Sequence, residues 1–175
     1  KFIKDVLLNY TTYQSYYGLF KKIEDDPLFD KNRAQSKFKK YVESHPQSIE
    51  KKTKIMINHF IENVINKKKI NGLAKAMVVT SSRKNAVHFK IAFDKYLTEN
   101  ALPYKSIVAF SGEIDGQTEV TLNSFSSALI PDEFKKINNR FLIVANKYQT
   151  GFDQPLLHTM YVDKKLGSVN AVQTL

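Results

Sequence analysis

Phe141-Leu-Ile-Val-Ala-Asn-Lys-Tyr-Gln-Thr-Gly-Phe-Asp-Gln-Pro155 decides the fold of this chain. Its opening run, Phe141 to Ala145, is short, apolar and unalternating. A run of that kind reads as a strand buried on both faces, the signature of a parallel sheet. Beyond it come Thr150, Gly151, Phe152, Asp153 and Pro155. An alcohol, a residue free to take positive φ, and a carboxylate are thereby offered past a strand's carboxyl end. In open α/β sheets that edge is where ligands bind.

Three more runs of the same character flank it: Ala76–Thr80, Ser106–Phe110 and Thr159–Val162. Between the first two, Asn85 to Glu99 has helical periodicity, with Ala86, Phe89, Phe93, Tyr96 and Leu97 on one face. Strand, helix and strand make the crossover unit of a parallel sheet. The stretch from Ser111 to Asn139 is polar, and a helix is expected after Pro131, where Asp132 and Glu133 suit the first turn.

Upstream of residue 73 the pattern is helical. From Ser48 to Lys69, Ile49, Thr53, Met56, Ile57, Phe60, Ile61, Val64 and Ile65 share one face, and Asn71-Gly72 supplies a stop. That stripe predicts core packing ahead of a partner groove. Val6, Leu7, Tyr10, Tyr13 and Tyr17 form a looser stripe, followed by Glu24-Asp25-Asp26-Pro27, a polar turn. The expected organisation is a helical segment over 1–72 and an α/β domain over 73–175.

The chain has 175 residues, 42% of them hydrophobic, which suffices for one α/β domain with an appendage. No run approaches the roughly 18 apolar residues of a membrane helix. The absence of cysteine removes disulfides and thiolate metal sites. Lys and Arg number 27 against 17 acids, a net charge of +10, which favours a polyanionic partner, nucleic acid ahead of membrane.

Four signals bear on chemistry. Thr80-Ser81-Ser82-Arg83 joins the first strand to its helix. Hydroxyls and free N–H groups at a helix N-terminus can hold an anion, and Arg83 adds a planar fork of donors; Ser82 can also cap the helix. Phe110-Ser111-Gly112 is a second strand end with a hydroxyl and a glycine. Thr150 could bond a backbone phosphate, and Asp153 could face a nucleotide ribose or a catalytic arginine. The last signal, Ala171-Val-Gln-Thr-Leu175, contains Gln173.

In order and spacing these signals resemble motifs IV, V and the start of VI in the second motor domain of superfamily 2 translocases. The wording of Ala76-Met-Val-Val-Thr-Ser-Ser-Arg83, and of Phe141 through Lys165, is similar to the motor subunit of type I restriction enzymes. Asn9-Tyr-Thr-Thr-Tyr13 and Tyr41-Val-Glu-Ser44 resemble the helical region that precedes that domain, so the likeness spans nearly the whole chain. It implies a RecA-like parallel sheet, ending here within motif VI, as one segment of a larger ATP-dependent translocase and endonuclease. It implies ATP and Mg2+ as cofactors of the parent protein, and a prokaryotic, cytoplasmic setting. The implied partners are double-stranded DNA, the first motor domain and nuclease domain of the same chain, and methyltransferase (modification and specificity) subunits. Ser81, Ser82, Arg83 and Thr150 would grip the sugar-phosphate track; Gly151, Asp153 and Gln173 would face the nucleotide. With no Gly-x-x-x-x-Gly-Lys-[Ser/Thr] loop and no Asp-Glu pair after a strand, the chain alone is expected to be inactive as an ATPase and to bind no cofactor stably.

Two other readings compete. Pro131-Asp132 and Asp163-Lys164-Lys165 spell the Pro-Asp…Asp-x-Lys pattern of magnesium-dependent nucleases, which needs both carboxylates around one metal. Alternatively, the chain is a non-catalytic DNA-binding or docking module, a reading that turns on whether the Ser48–Lys69 stripe is exposed. His45, His59, His88 and His158 have no shared metal-ligand spacing, and no Gly-x-Ser-x-Gly elbow accompanies the serines.

Overall fold

The structure is a computed structural model and describes residues 45–148 and 152–164. Four strands form one all-parallel sheet: β1 (Lys75–Thr80), β2 (Lys105–Ala109), β3 (Asn139–Val144) and β4 (Leu157–Asp163), in the order β2-β3-β1-β4. The helices are α1 (Pro46–Phe60), α2 (Arg83–Glu99), α3 (Glu119–Asn123) and α4 (Ile130–Lys135). This is the α/β parallel sheet with flanking helices that the apolar runs predict. Every residue of β1 and β3 is buried, which is why their sequences run apolar without alternation.

Alternate residues feed two cores. Ala76, Val78, Val108, Phe141 and Ile143 point to one face, where Phe89, Phe93 and Leu97 of α2 and Ile49, Ile57 and Phe60 of α1 pack on them. Phe141 is the hub, with its ring centroid 4.9 Å from Phe60 and 5.1 Å from Phe93, both edge-on. Met77, Val79, Ile107, Leu142 and Val144 point to the other face, against Ile130 and Phe134 of α4.

The predicted stripe of α1 is therefore core. Ile49, Thr53, Ile57, Phe60 and Val64 are buried, and Met56, Ile61 and Ile65 pack at the margin of the same core. The helix widens at its end, where Asn66 N–H reaches Ile61 O at 2.8 Å, and stops in left-handed residues at Lys68, Ile70, Asn71 and Gly72. The compact unit holding the sheet begins at Pro46 and so includes α1. The stretches Val6–Tyr17, Asn9–Tyr13, Glu24–Pro27 and Tyr41–Ser44 lie outside the described residues.

The outer side of β2, the last described strand in its direction, bonds to side chains. Residues 106, 108 and 110 turn their peptide groups away from β3. Lys90 Nζ donates to Ser106 O at 2.7 Å. Asn123 accepts from Val108 N at 2.9 Å and donates to Val108 O at 2.8 Å, mimicking a neighbouring strand. Glu119 Oε1 accepts from Phe110 N at 2.6 Å. The short helix α3 (one turn apart, Glu119 and Asn123) exists to present these two groups.

Candidate nucleic-acid interface

β1 closes on Thr80, whose hydroxyl is 3.0 Å from both Val144 O and Ser82 O. That buried residue ties the ends of β1 and β3 together and turns the chain outward. Ser82 is extended (φ −157°, ψ 161°) and caps α2, accepting from Asn85 N at 3.1 Å; Ser81 Oγ accepts from Asn85 Nδ2 at 2.8 Å. Both serines are exposed. Each hydroxyl has accepted one bond, so each retains its own proton to donate to an incoming oxygen. Capping and anion binding are thus compatible, as the sequence reading allowed.

Arg83 is exposed and donates from Nη1 to Ser111 O at 2.9 Å. One bond from a five-donor guanidinium fixes its position and leaves the rest of the fork available. Gly112, at φ +80°, lets the β2 loop come this close, because a Cβ there would stand 3.1 Å from Arg83 Nη1. The sequence singled out the hydroxyl of Ser111; its carbonyl and the neighbouring glycine are what the structure uses. Lys84, paired with Asp115 at 3.1 Å in an exposed bridge, adds a cation to the same rim.

Between Gly112 and Asn139 sequence reasoning singled out only Asp132, for the competing nuclease pair, and it missed Glu119. This carboxylate is 5% exposed and holds Lys147 Nζ with both oxygens at 2.9 Å. It joins the carboxyl ends of β2 and β3. Thr118, which caps α3 in a reciprocal pair with Thr121, was the only local signal; the partner 28 residues away is not a local property.

Thr150, Gly151 and Gln173 lie outside the described residues. Asp153 is exposed. Just before it, Phe152 packs on Tyr148 and Phe134, with centroids 4.9 and 6.0 Å away, and Leu156 O accepts from Lys75 N at the opposite edge of the sheet. The chain here is already returning to the amino edge to start β4, and no contact joins Asp153 to the Ser81–Arg83 cluster among the described residues.

The nuclease pair is not assembled. Asp163 lies opposite Thr80 in the β1–β4 register and bonds Lys52 of α1 at 2.6 Å, on the α1/α2 face. Asp132 is exposed on α4, over the other face, where its bond to Lys135 at 2.8 Å and the charge of that lysine lower its pKa. Two carboxylates served by separate lysines on opposite faces do not share a metal. Among the described residues, no group of three or more His, Cys, Asp or Glu is placed to hold an ion.

The amino edge is cationic too, but differently built. Lys75 is fully buried and donates to Lys136 O at 2.8 Å and Asn139 O at 2.7 Å, with Nζ 5.1 Å from the Phe134 ring centroid. Burial, reinforced by the Arg140 charge, lowers its pKa to about 8. Arg140, 6% exposed, donates from Nη1 to Ala74 O at 3.0 Å, and burial lowers its pKa also.

Comparison with known proteins supplies the family. The chain is 31% identical, over 89% of its length, to the "Putative type I restriction enzyme MjaVIIP endonuclease subunit" of Methanocaldococcus jannaschii. It is 30% identical, over 68% of its length, to the MjaVIIIP counterpart from the same organism, also described as putative. The resemblance to type I restriction endonuclease subunits holds. The chain corresponds to a segment of such a subunit, spanning 16% and 13% of the lengths of these two relatives. No protein-family model matches it. Among the described residues no helix is long and apolar enough to cross a membrane.

Proposed function

We propose that the chain is the second RecA-like motor domain of a type I restriction endonuclease subunit, and that the carboxyl edge of its sheet grips the backbone of double-stranded DNA. The observation that carries this is Arg83, held by Ser111 O at 2.9 Å with the rest of its fork free, beside the exposed hydroxyls of Ser81 and Ser82 at the start of α2. Such an array meets phosphate oxygens without reading bases. The family likeness and the +10 charge point to the same ligand.

In the parent protein this grip would be coupled to ATP, whose hydrolysis supplies the energy of translocation. Gly151, Asp153 and Gln173 are the residues of this chain proposed to face that nucleotide. The sequence has no Gly-x-x-x-x-Gly-Lys-[Ser/Thr] loop, so the remainder of that site is assigned to the first motor domain. The nuclease domain and the modification and specificity subunits complete the proposed assembly.

Anisotropy of a labelled duplex of arbitrary sequence, titrated with the 175-residue chain over a salt series, tests the reading. Arg83→Ala is expected to weaken binding severalfold and to reduce the slope of log K against log salt by about 1. Thr150→Ala should weaken it as well. Affinity and slope unchanged in both variants would mean the charge acts diffusely, and the edge assignment would fall.

A further inference from the structure

We propose that Glu119 is the positioning residue of this interface, tying the Asn146–Tyr148 turn after β3 to the loop that holds Arg83. The inference rests on reading the carboxyl edge as a phosphate grip. It begins from a conflict of sign: a buried carboxylate beside a surface meant for a polyanion is electrostatically unfavourable, so its presence needs another reason.

The geometry supplies one. Glu119 takes Lys147 Nζ with both oxygens at 2.9 Å, and Oε1 also takes Phe110 N at 2.6 Å. Lys147 sits between two left-handed residues, Asn146 at φ 63° and Tyr148 at φ 60°. Positive φ at a bulky tyrosine is strained, and such backbone persists only where its surroundings hold it. Glu119 grips the residue between the two. The same Oε1 accepts from Phe110 N, and the next residue, Ser111, anchors Arg83 at 2.9 Å. One side chain thus locks the turn after β3 to the loop that holds Arg83. Thr118 and Thr121 fix the helix turn from which it projects. The pair bridges the segments that follow β2 and β3, so its loss loosens both at once.

The experiment is the same anisotropy titration on the full 175-residue chain, with melting temperatures measured in parallel. Glu119→Gln keeps an acceptor for Phe110 N and removes a negative charge. Simple electrostatics therefore predicts tighter DNA binding, whereas a positioning role predicts binding about fivefold weaker. In a Lys147→Ala background Glu119→Gln should have no further effect, since the pair is already broken. Glu119→Asp keeps the charge but shortens the reach, and should also weaken binding; it decides the matter if Glu119→Gln does not fold. Unchanged or tighter binding in the folded Glu119 variant, with Arg83→Ala still weakened, overturns the positioning role and leaves the interface standing. Arg83→Ala indistinguishable from wild type would instead remove the interface on which the proposal rests.

Discussion

The two ends of the sheet carry comparable positive charge and use it in opposite ways. At the amino edge both cations are buried: Lys75 donates to the carbonyls of Lys136 and Asn139, and Arg140 donates from Nη1 to Ala74 O while its buried Nε has no partner among the described residues. At the carboxyl edge Arg83 is exposed and gives one donor to Ser111 O, with serine hydroxyls still able to donate beside it. The difference teaches that a count of basic residues does not locate a polyanion site. The proposed grip is built instead on exposed donors left over after the fold is satisfied.

That contrast can be broken most forcefully at Phe134, which is buried beneath the Lys75 ammonium. Phe134→Ala should cost about 3–5 kcal/mol in denaturant unfolding. DNA binding at temperatures where it stays folded should be unchanged. A weakened salt slope would show that the amino edge also contacts DNA, and the division would collapse.

Lys75 sharpens the comparison through pH. Its native pKa of about 8 lies below the ordinary value of 10.5, so the folded chain releases this proton first. Below pH 8 both states hold it and the burial penalty is complete. Between pH 8 and 10.5 the unfolded chain binds a proton that the native one lacks, so stability rises with pH, by at most on the order of 2–3 kcal/mol. Unfolding free energies at pH 7.5 and 9.5 should show wild type gaining on Lys75→Met. A parallel response of the two proteins would contradict the buried-charge account. Smallest in stability is Gly112→Ala, expected to cost about 1 kcal/mol through its positive φ. Because the new methyl also crowds Arg83, its loss of DNA affinity should approach that of Arg83→Ala. Wild-type affinity in this variant would show that the Arg83 anchor is dispensable.

Much of the fold was legible because burial on both faces writes itself into sequence. Phe141–Ala145 and Ala76–Thr80 have no polar alternation since neither face of β3 or β1 meets water. The stripe Ile49–Ile65 was readable as core, and Ser82 as a cap, since both are local patterns. Strand order was not legible, since β3 inserting between β2 and β1 is a long-range choice. Helix α3 has five residues, too few for a period to show, and its two working groups look like ordinary surface polar residues. Lys75 likewise reads as a solvated cation before β1; only the carbonyls at the ends of neighbouring elements reveal it as a buried tie. In the proposed site, Ser81, Ser82 and Arg83 stand out in sequence by type and position, whereas Glu119 does not, because its partner is 28 residues away.

The outer side of β2 has one more consequence. A bare edge strand is a template on which another chain can lay its own backbone, the first step toward edge-to-edge aggregation. Here Lys90, Asn123 and Glu119 already occupy those positions from within the molecule. A second chain would have to displace charged and amide side chains before it gained a single backbone hydrogen bond. The polar stretch after β2 is therefore also a guard against misassembly, and loosening α3 would expose an adhesive strand.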